Sequence, residues 1–124
     1  MLIRQQLGCS SVPFMAQLRG RPLEVSILIF KTQEFERWYE QKLQSQKAII
    51  DSRLARIEVF SHFGDCKYLD AGLLELRWKN GLRIYFAKIE NNQLLILIGG
   101  IKHEQKKDIK KARILLKKYS NNQT

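Results

Sequence analysis

The segment from Leu73 to Ile89 admits one register as a β-hairpin, and that register constrains what surrounds it. Leu74, Leu76 and Trp78 alternate with polar side chains, as do Leu82, Ile84 and Phe86, with Lys79-Asn80-Gly81 between the runs. Side chains alternate between the two faces of a strand. A two-residue loop would therefore set Trp78 against Arg83 and put the apolar set of one strand opposite the polar set of the other. A three-residue loop pairs Trp78 with Leu82, Leu76 with Ile84 and Leu74 with Phe86, and all six then share a face. Gly81 supplies the left-handed residue that such a loop needs.

The same register forces Arg77 opposite Arg83, and Glu75 opposite Tyr85, on the other face. Guanidiniums that face each other across strands repel, so a purely structural sheet is expected to avoid the pair. A surface that holds an anion wants it, because two guanidiniums grip phosphate oxygens with fixed fork geometry. Two readings stay open here: an anion site, or a solvated cluster in which Glu75 neutralises both arginines.

The rest of the chain supplies helices around this hairpin. Leu23 to Lys31 is rich in β-branched and aromatic residues and predicts a strand. Thr32 can cap a helix whose stripe is Phe35, Trp38, Tyr39 and Leu43, with Glu34 and Glu36 in its first turn. A second helix is expected from about Gln46 to His62, with Ile50, Leu54, Ile57 and Phe60 inward. The two would form a helical hairpin joined near Gln44–Ser45. His62 to Lys67 reads as a loop. Gln93 to Ile98 is apolar on both faces, which fits an interior strand with a layer on each side or a well-covered place in the sheet. Gly99-Gly100 is expected to end it. A last helix runs from about Glu104 to Tyr119, with Ile109, Ala112, Leu116 and Tyr119 inward.

The predicted order is β-α-α-β-β-β-α, an α+β fold with grouped helices. Residues 1–22, broken by Pro13, Gly20 and Pro22, read as a loosely attached extension. Residues 23–119 form one domain, and Ser120 to Thr124 is a polar tail.

Charge narrows the partners. The 124 residues hold 22 basic and 12 acidic side chains, a net +10, and the excess concentrates beyond Asn91. Such a field attracts a polyanion, nucleic acid above all, or an acidic protein. Cys9 and Cys66 lie far apart, and there are only two histidines, His62 and His103. This argues against a structural zinc site and a disulfide framework, and for a reducing, cytoplasmic setting. The apolar run Leu94–Ile98 is too short to span a bilayer, and the first residues do not read as a signal peptide. No cofactor motif stands out.

Lys67 before the hairpin, and Lys102-His103 after the last strand, could reach the face that carries Arg77, Arg83 and Tyr85. That set has cations, a phenol and an imidazole but no activated nucleophile. The chemistry left is phosphodiester cleavage in which the RNA 2′-hydroxyl attacks and the protein supplies charge and proton transfer. On the last helix Lys106, Lys110, Arg113 and Lys117 line a separate basic face suited to phosphate contacts.

Several of these segments together resemble a known superfamily. Gly64-Asp-Cys-Lys67, Gly72-Leu-Leu-Glu-Leu-Arg77, Leu82-Arg-Ile-Tyr-Phe86, Leu94 to Gly100, Lys102, Gln105, Asp108-Ile109 and Ala112 resemble the RelE/ParE superfamily of type II toxins. The likeness is to its HigB-type "addiction module killer protein" branch. Phe35-Glu-Arg-Trp38 and Arg53-Leu-Ala-Arg56 also fit, and the match covers about residues 25–119. The resemblance implies a RelE-like small antiparallel sheet with an N-terminal helical hairpin and a C-terminal helix. It implies a ribosome-dependent mRNA endonuclease, neutralised by a helix-turn-helix antitoxin and touching DNA only through that complex. Arg77, Arg83 and Lys102 fall on basic positions of the pattern, with Lys67 and Tyr85 supporting; His103 departs from it. Within the same superfamily the alternatives are a ParE-like gyrase poison that acts by binding, or an inactive toxin that only binds its antitoxin.

Overall fold

The computed structural model describes residues 27–122. Cys9, the 1–22 extension and the first part of the expected 23–31 strand lie outside them. Strand β1 is Leu28–Lys31, helix α1 Gln33–Glu40, helix α2 Gln44–Phe60, β2 Cys66–Asp70, β3 Leu73–Arg77, β4 Leu82–Glu90 and β5 Gln93–Ile101. A 3-10 turn at Lys102–Glu104 leads into α3, Gln105–Asn122.

The five strands form one sheet in the order β1-β5-β4-β3-β2. The expected antiparallel sheet is mixed instead: β1 runs parallel to β5, and the other pairs are antiparallel. The chain can do this because α1 and α2 intervene between β1 and the hairpins, which gives a crossover long enough for parallel pairing.

The β3–β4 hairpin has the register that side-chain alternation demands. Leu76 faces Ile84, Leu74 faces Phe86, and Arg77 faces Arg83. The Trp78 amide donates to Leu82 O at 3.1 Å, which closes the three-residue loop, and Gly81 takes φ +102.

The two-faced apolar strand β5 explains the layering. Leu94 and Ile96 join a core with Phe35, Ile50, Leu54, Ile57, Ile84 and Phe86, beneath α1 and α2. Leu95 and Leu97 join a second core with Phe30, Leu73, Tyr85, Ala87, Ala112 and Leu115, beneath α3. A bulge at Leu97 shifts the register between Phe86–Ile96 and Tyr85–Ile98, so Leu97 and Ile98 both serve the α3 side.

Thr32 caps α1 as expected: its Oγ1 accepts from the Phe35 amide at 2.9 Å and donates to Leu97 O at 2.7 Å. The α1 helix is shorter than its stripe implied. It ends at Glu40, and Leu43 caps the start of α2 with 69% of its surface exposed. Gln44 and Ser45, expected in the joint, begin α2. Phe60, expected inward, is 67% exposed at the last turn of α2.

Three other boundaries differ. Cys66–Asp70, read as loop and onward, is a strand, an exposed sheet edge with no apolar face to announce it. Gly99-Gly100 continues β5 instead of ending it, because neighbouring side chains fill the space of the missing ones. The last helix reaches Asn122, into the expected polar tail.

Candidate nucleic-acid interface

The pairing of β2, β3 and β4 arranges the polar face in rows. Lys67 lies opposite Glu75, and Glu75 opposite Tyr85; one row on, Arg77 lies opposite Arg83, and Arg83 opposite Gly100. Tyr85 belongs to the α3-side core, so this face of the sheet is the one α3 covers. The 3-10 turn closes on the hairpin where the Lys102 amide donates to Gly81 O at 2.8 Å. Lys102 and His103 are thereby carried to the same end of the sheet as Arg77.

The structure divides the expected site into a sealed half and an open half. Arg83 is 6% exposed, and its Nη1 donates to Trp78 O at 3.0 Å and Leu82 O at 2.8 Å. Its Nε lies 3.9 Å from Glu75 Oε2. Glu75 is 1% exposed and also accepts from Gln105 Nε2 of α3 at 2.8 Å. Tyr85 is fully buried, and burial together with the neighbouring Glu75 carboxylate pushes its phenol well above the usual range.

Arg83 and Tyr85 therefore do not stand on an open surface, contrary to the expectation for them. The physical cause is Glu75. A carboxylate without solvent needs partners: Gln105 on the first turn of α3 donates a hydrogen bond to it, and the Arg83 guanidinium supplies the opposite charge at 3.9 Å. The reading in which Glu75 neutralises both arginines also fails in part, because Arg77 turns to Asp65 instead, Nε to Oδ2 at 3.8 Å.

The open half contains Arg77, whose side chain is 37% exposed, with the exposed Lys67, Lys102 and His103. Lys106, Lys110, Arg113 and Lys117 are exposed along α3. Arg113 forms an ion pair with Asp70 at the end of β2, so this member of the basic face is already occupied in part.

Arg53 is the organising residue that the candidate set missed. Its Nη2 donates to Arg77 O at 2.9 Å and its Nη1 to Phe63 O at 3.2 Å, while its guanidinium stacks 4.2 Å from the centre of the Trp78 ring. One side chain thus fixes the 61–65 loop to the end of β3 and holds Asp65 where it meets Arg77. A signal existed: Arg53 lies three residues from Ile50 and four from Ile57, so it shares their inward stripe, where a cation needs partners.

Cys66 is half-buried, and burial pushes its thiol up, away from the thiolate that a nucleophile requires. Among the described residues no three His, Cys, Asp or Glu side chains cluster to hold a metal ion, and no helix is long and apolar enough to cross a membrane.

A protein of Haemophilus influenzae (strain ATCC 51907 / DSM 11121 / KW20 / Rd), described as an uncharacterized protein, is 39% identical to this chain over 94 residues. The alignment takes in 73% of the chain and 94% of that protein. No family model and no solved structure matches the chain.

Proposed function

The chain belongs to one family with that Haemophilus influenzae protein, and we propose that it is a RelE/ParE-type toxin of the HigB-like branch that cleaves mRNA on the ribosome. The observation that carries this reading is the cationic end of the sheet, where Arg77, Lys67 and Lys102 are open to solvent on a molecule of net charge +10. The α+β arrangement, with a helical hairpin on one side of the sheet and a C-terminal helix on the other, supports it.

In this reading Arg77 grips the scissile phosphate. The 2′-hydroxyl attacks the phosphorus and the 5′-oxygen leaves, and Lys67 and Lys102 stabilise the charge that develops. His103, next to Lys102 in the chain and exposed, would serve in proton transfer. Arg83 and Tyr85 act from beneath, as positioning residues: Arg83 holds the carbonyls of Trp78 and Leu82 and so fixes the loop between the strands. A helix-turn-helix antitoxin would neutralise the protein in the cytoplasm, and DNA contact would belong to that complex.

One observation favours a second reading, a toxin that acts by binding alone. Two of the six candidate catalytic side chains are sealed under α3, leaving a charged surface more than an assembled pocket. Mapping of mRNA 5′ ends after induced expression, with a gyrase assay in parallel, separates the two. New cuts inside translated frames carry the nuclease; DNA breaks without RNA cuts carry the gyrase poison.

A further inference from the structure

Helix α2 turns an apolar face to solvent. Ile50, Leu54 and Ile57 point into the core. On a period of 3.6 the opposite face is Ala48, Ile49, Ser52, Ala55, Val59 and Phe60, five of them apolar. Ile49 is 37% and Phe60 67% exposed, and Ala48 and Ser52 are exposed between them. In a chain with 27% charged residues, a helix packed on a sheet is expected to turn charge outward. Helix α3 does so, with Lys106, Lys110, Lys111 and Lys117 in solvent.

The face is bordered by one charge of each sign. Arg56 stands on one flank; Asp51 stands on the other, with Glu58 two turns further along. Asp51 and Arg56 are five residues apart, about 140° around the helix axis, so they cannot pair within one chain. Both are exposed. Among the described residues Arg56 forms no ion pair, and Asp51 accepts only from the Tyr39 hydroxyl, at 2.9 Å and 2.7 Å. A carboxylate has four lone-pair sites, which leaves room for a cation beside that phenol.

An apolar seam with an acid on one flank and a base five residues on, across the seam, is complementary to itself. Place two copies of α2 side by side and parallel, related by a two-fold axis that runs along them. Asp51 of each copy then meets Arg56 of the other, and both pairs form together. An antiparallel pair sets the acid flank against the acid flank and Arg56 against its own side. A partner of one charge sign opposes one flank or the other. We propose that this face is a self-association surface, on which a second copy of the chain docks in parallel, with Ala48, Ser52, Ala55 and Val59 along the seam. The helix has 17 residues, a length of about 25 Å, so the contact is small and the dimer a weak one.

Sedimentation equilibrium of the full chain tests this. The parent protein is expected to dimerise with Kd of about 10–100 μM. Arg56→Asp and Asp51→Arg each set like charges across the seam and should weaken the dimer about tenfold. An equimolar mixture of the two variant proteins restores both opposite-charge pairs and should associate as the parent does. Circular dichroism checks that each variant folds. Ser52→Arg, on the exposed middle of the face, should abolish the dimer while leaving both charged partners in place. Direction is read by cross-linking in a Cys9→Ser, Cys66→Ser background: on oxidation the Val59→Cys protein should link to its own copy. Linkage of the Val59→Cys protein to the Ala48→Cys protein instead would show an antiparallel pair and overturn the proposal. So would a parent protein that stays monomeric up to about 1 mM, a dimer unchanged by Ser52→Arg, or a mixture that associates no better than its folded components.

Discussion

Arg77 and Arg83 lie directly across from each other on neighbouring strands, yet they do different work. Arg83 turns inward to two carbonyls and the buried Glu75, while Arg77 turns outward to Asp65 and keeps 37% of its side chain in solvent. The expected repulsion is relieved because each guanidinium has its own carboxylate.

Truncation should therefore separate them. Arg77→Ala removes a solvent-screened ion pair and should cost less than about 1 kcal/mol of stability, while abolishing growth arrest on induction. Arg83→Ala strands the Glu75 carboxylate in the interior and should cost about 3 kcal/mol. Urea unfolding of both proteins beside an induction assay checks this. A stable Arg83→Ala protein, or full toxicity from Arg77→Ala, would refute the assignment.

RNA binding should weaken with salt in a countable way. Each phosphate contact on a single strand contributes a slope of about −0.7 in log affinity against log salt, so three contacts from Arg77, Lys67 and Lys102 give about −2. Arg77→Ala should make the slope shallower by about 0.7. A flat dependence in the parent protein would count against phosphate recognition at this end of the sheet.

Asp108 and Gly100 should show strong coupling. The carboxylate occupies the space of a Cβ at residue 100, and its Oδ2 would lie 1.9 Å from one. Gly100→Ala should cost about 1–3 kcal/mol through overpacking, and less in an Asp108→Gly background, where the space is vacant. A double-mutant cycle by thermal unfolding measures the difference, and additive losses would contradict the contact.

Glu58 should lower stability as the pH rises. Burial pushes its carboxyl from 4.5 up to about 7, against a smaller opposing pull from Lys31. The folded state therefore holds its proton more tightly than the unfolded chain does. The contribution is full below about pH 4.5, is lost as pH rises toward 7, and stays lost above it. Glu58→Gln should raise the melting temperature relative to the parent at pH 8 and change the difference little at pH 4. Equal differences at both values would refute the shift.

The cap at Thr32 joins two layers, since the same hydroxyl serves the Phe35 amide and Leu97 O. Thr32→Val should cost about 1–2 kcal/mol by calorimetry, and Thr32→Ser should recover most of it. No loss in Thr32→Val would show that the two bonds are replaced by others.

Much of this was legible from spacing. The Trp78–Leu82 loop closure, the Arg77–Arg83 pairing, the cap at Thr32 and the burial of Ile50, Leu54 and Ile57 follow from periods of 2 and 3.6 in the chain. Strand β2 was not legible, because an exposed edge such as Cys66–Asp70 needs no apolar alternation. Gly99-Gly100 looked like a terminator because only the fold shows that Trp38 and Asp108 fill the space above it.

Which side chains share a face follows from the order of residues, since alternation along a strand is a local property of the backbone. Which members of a face meet solvent depends on how the elements pack. α3 docks over Glu75, Arg83 and Tyr85 and leaves Arg77 and Lys67 outside, and where a helix comes to rest depends on packing between segments distant in the chain. The direction each arginine took follows from the same cause: Glu75 became a buried acceptor only once Gln105, 30 residues away, had closed over it.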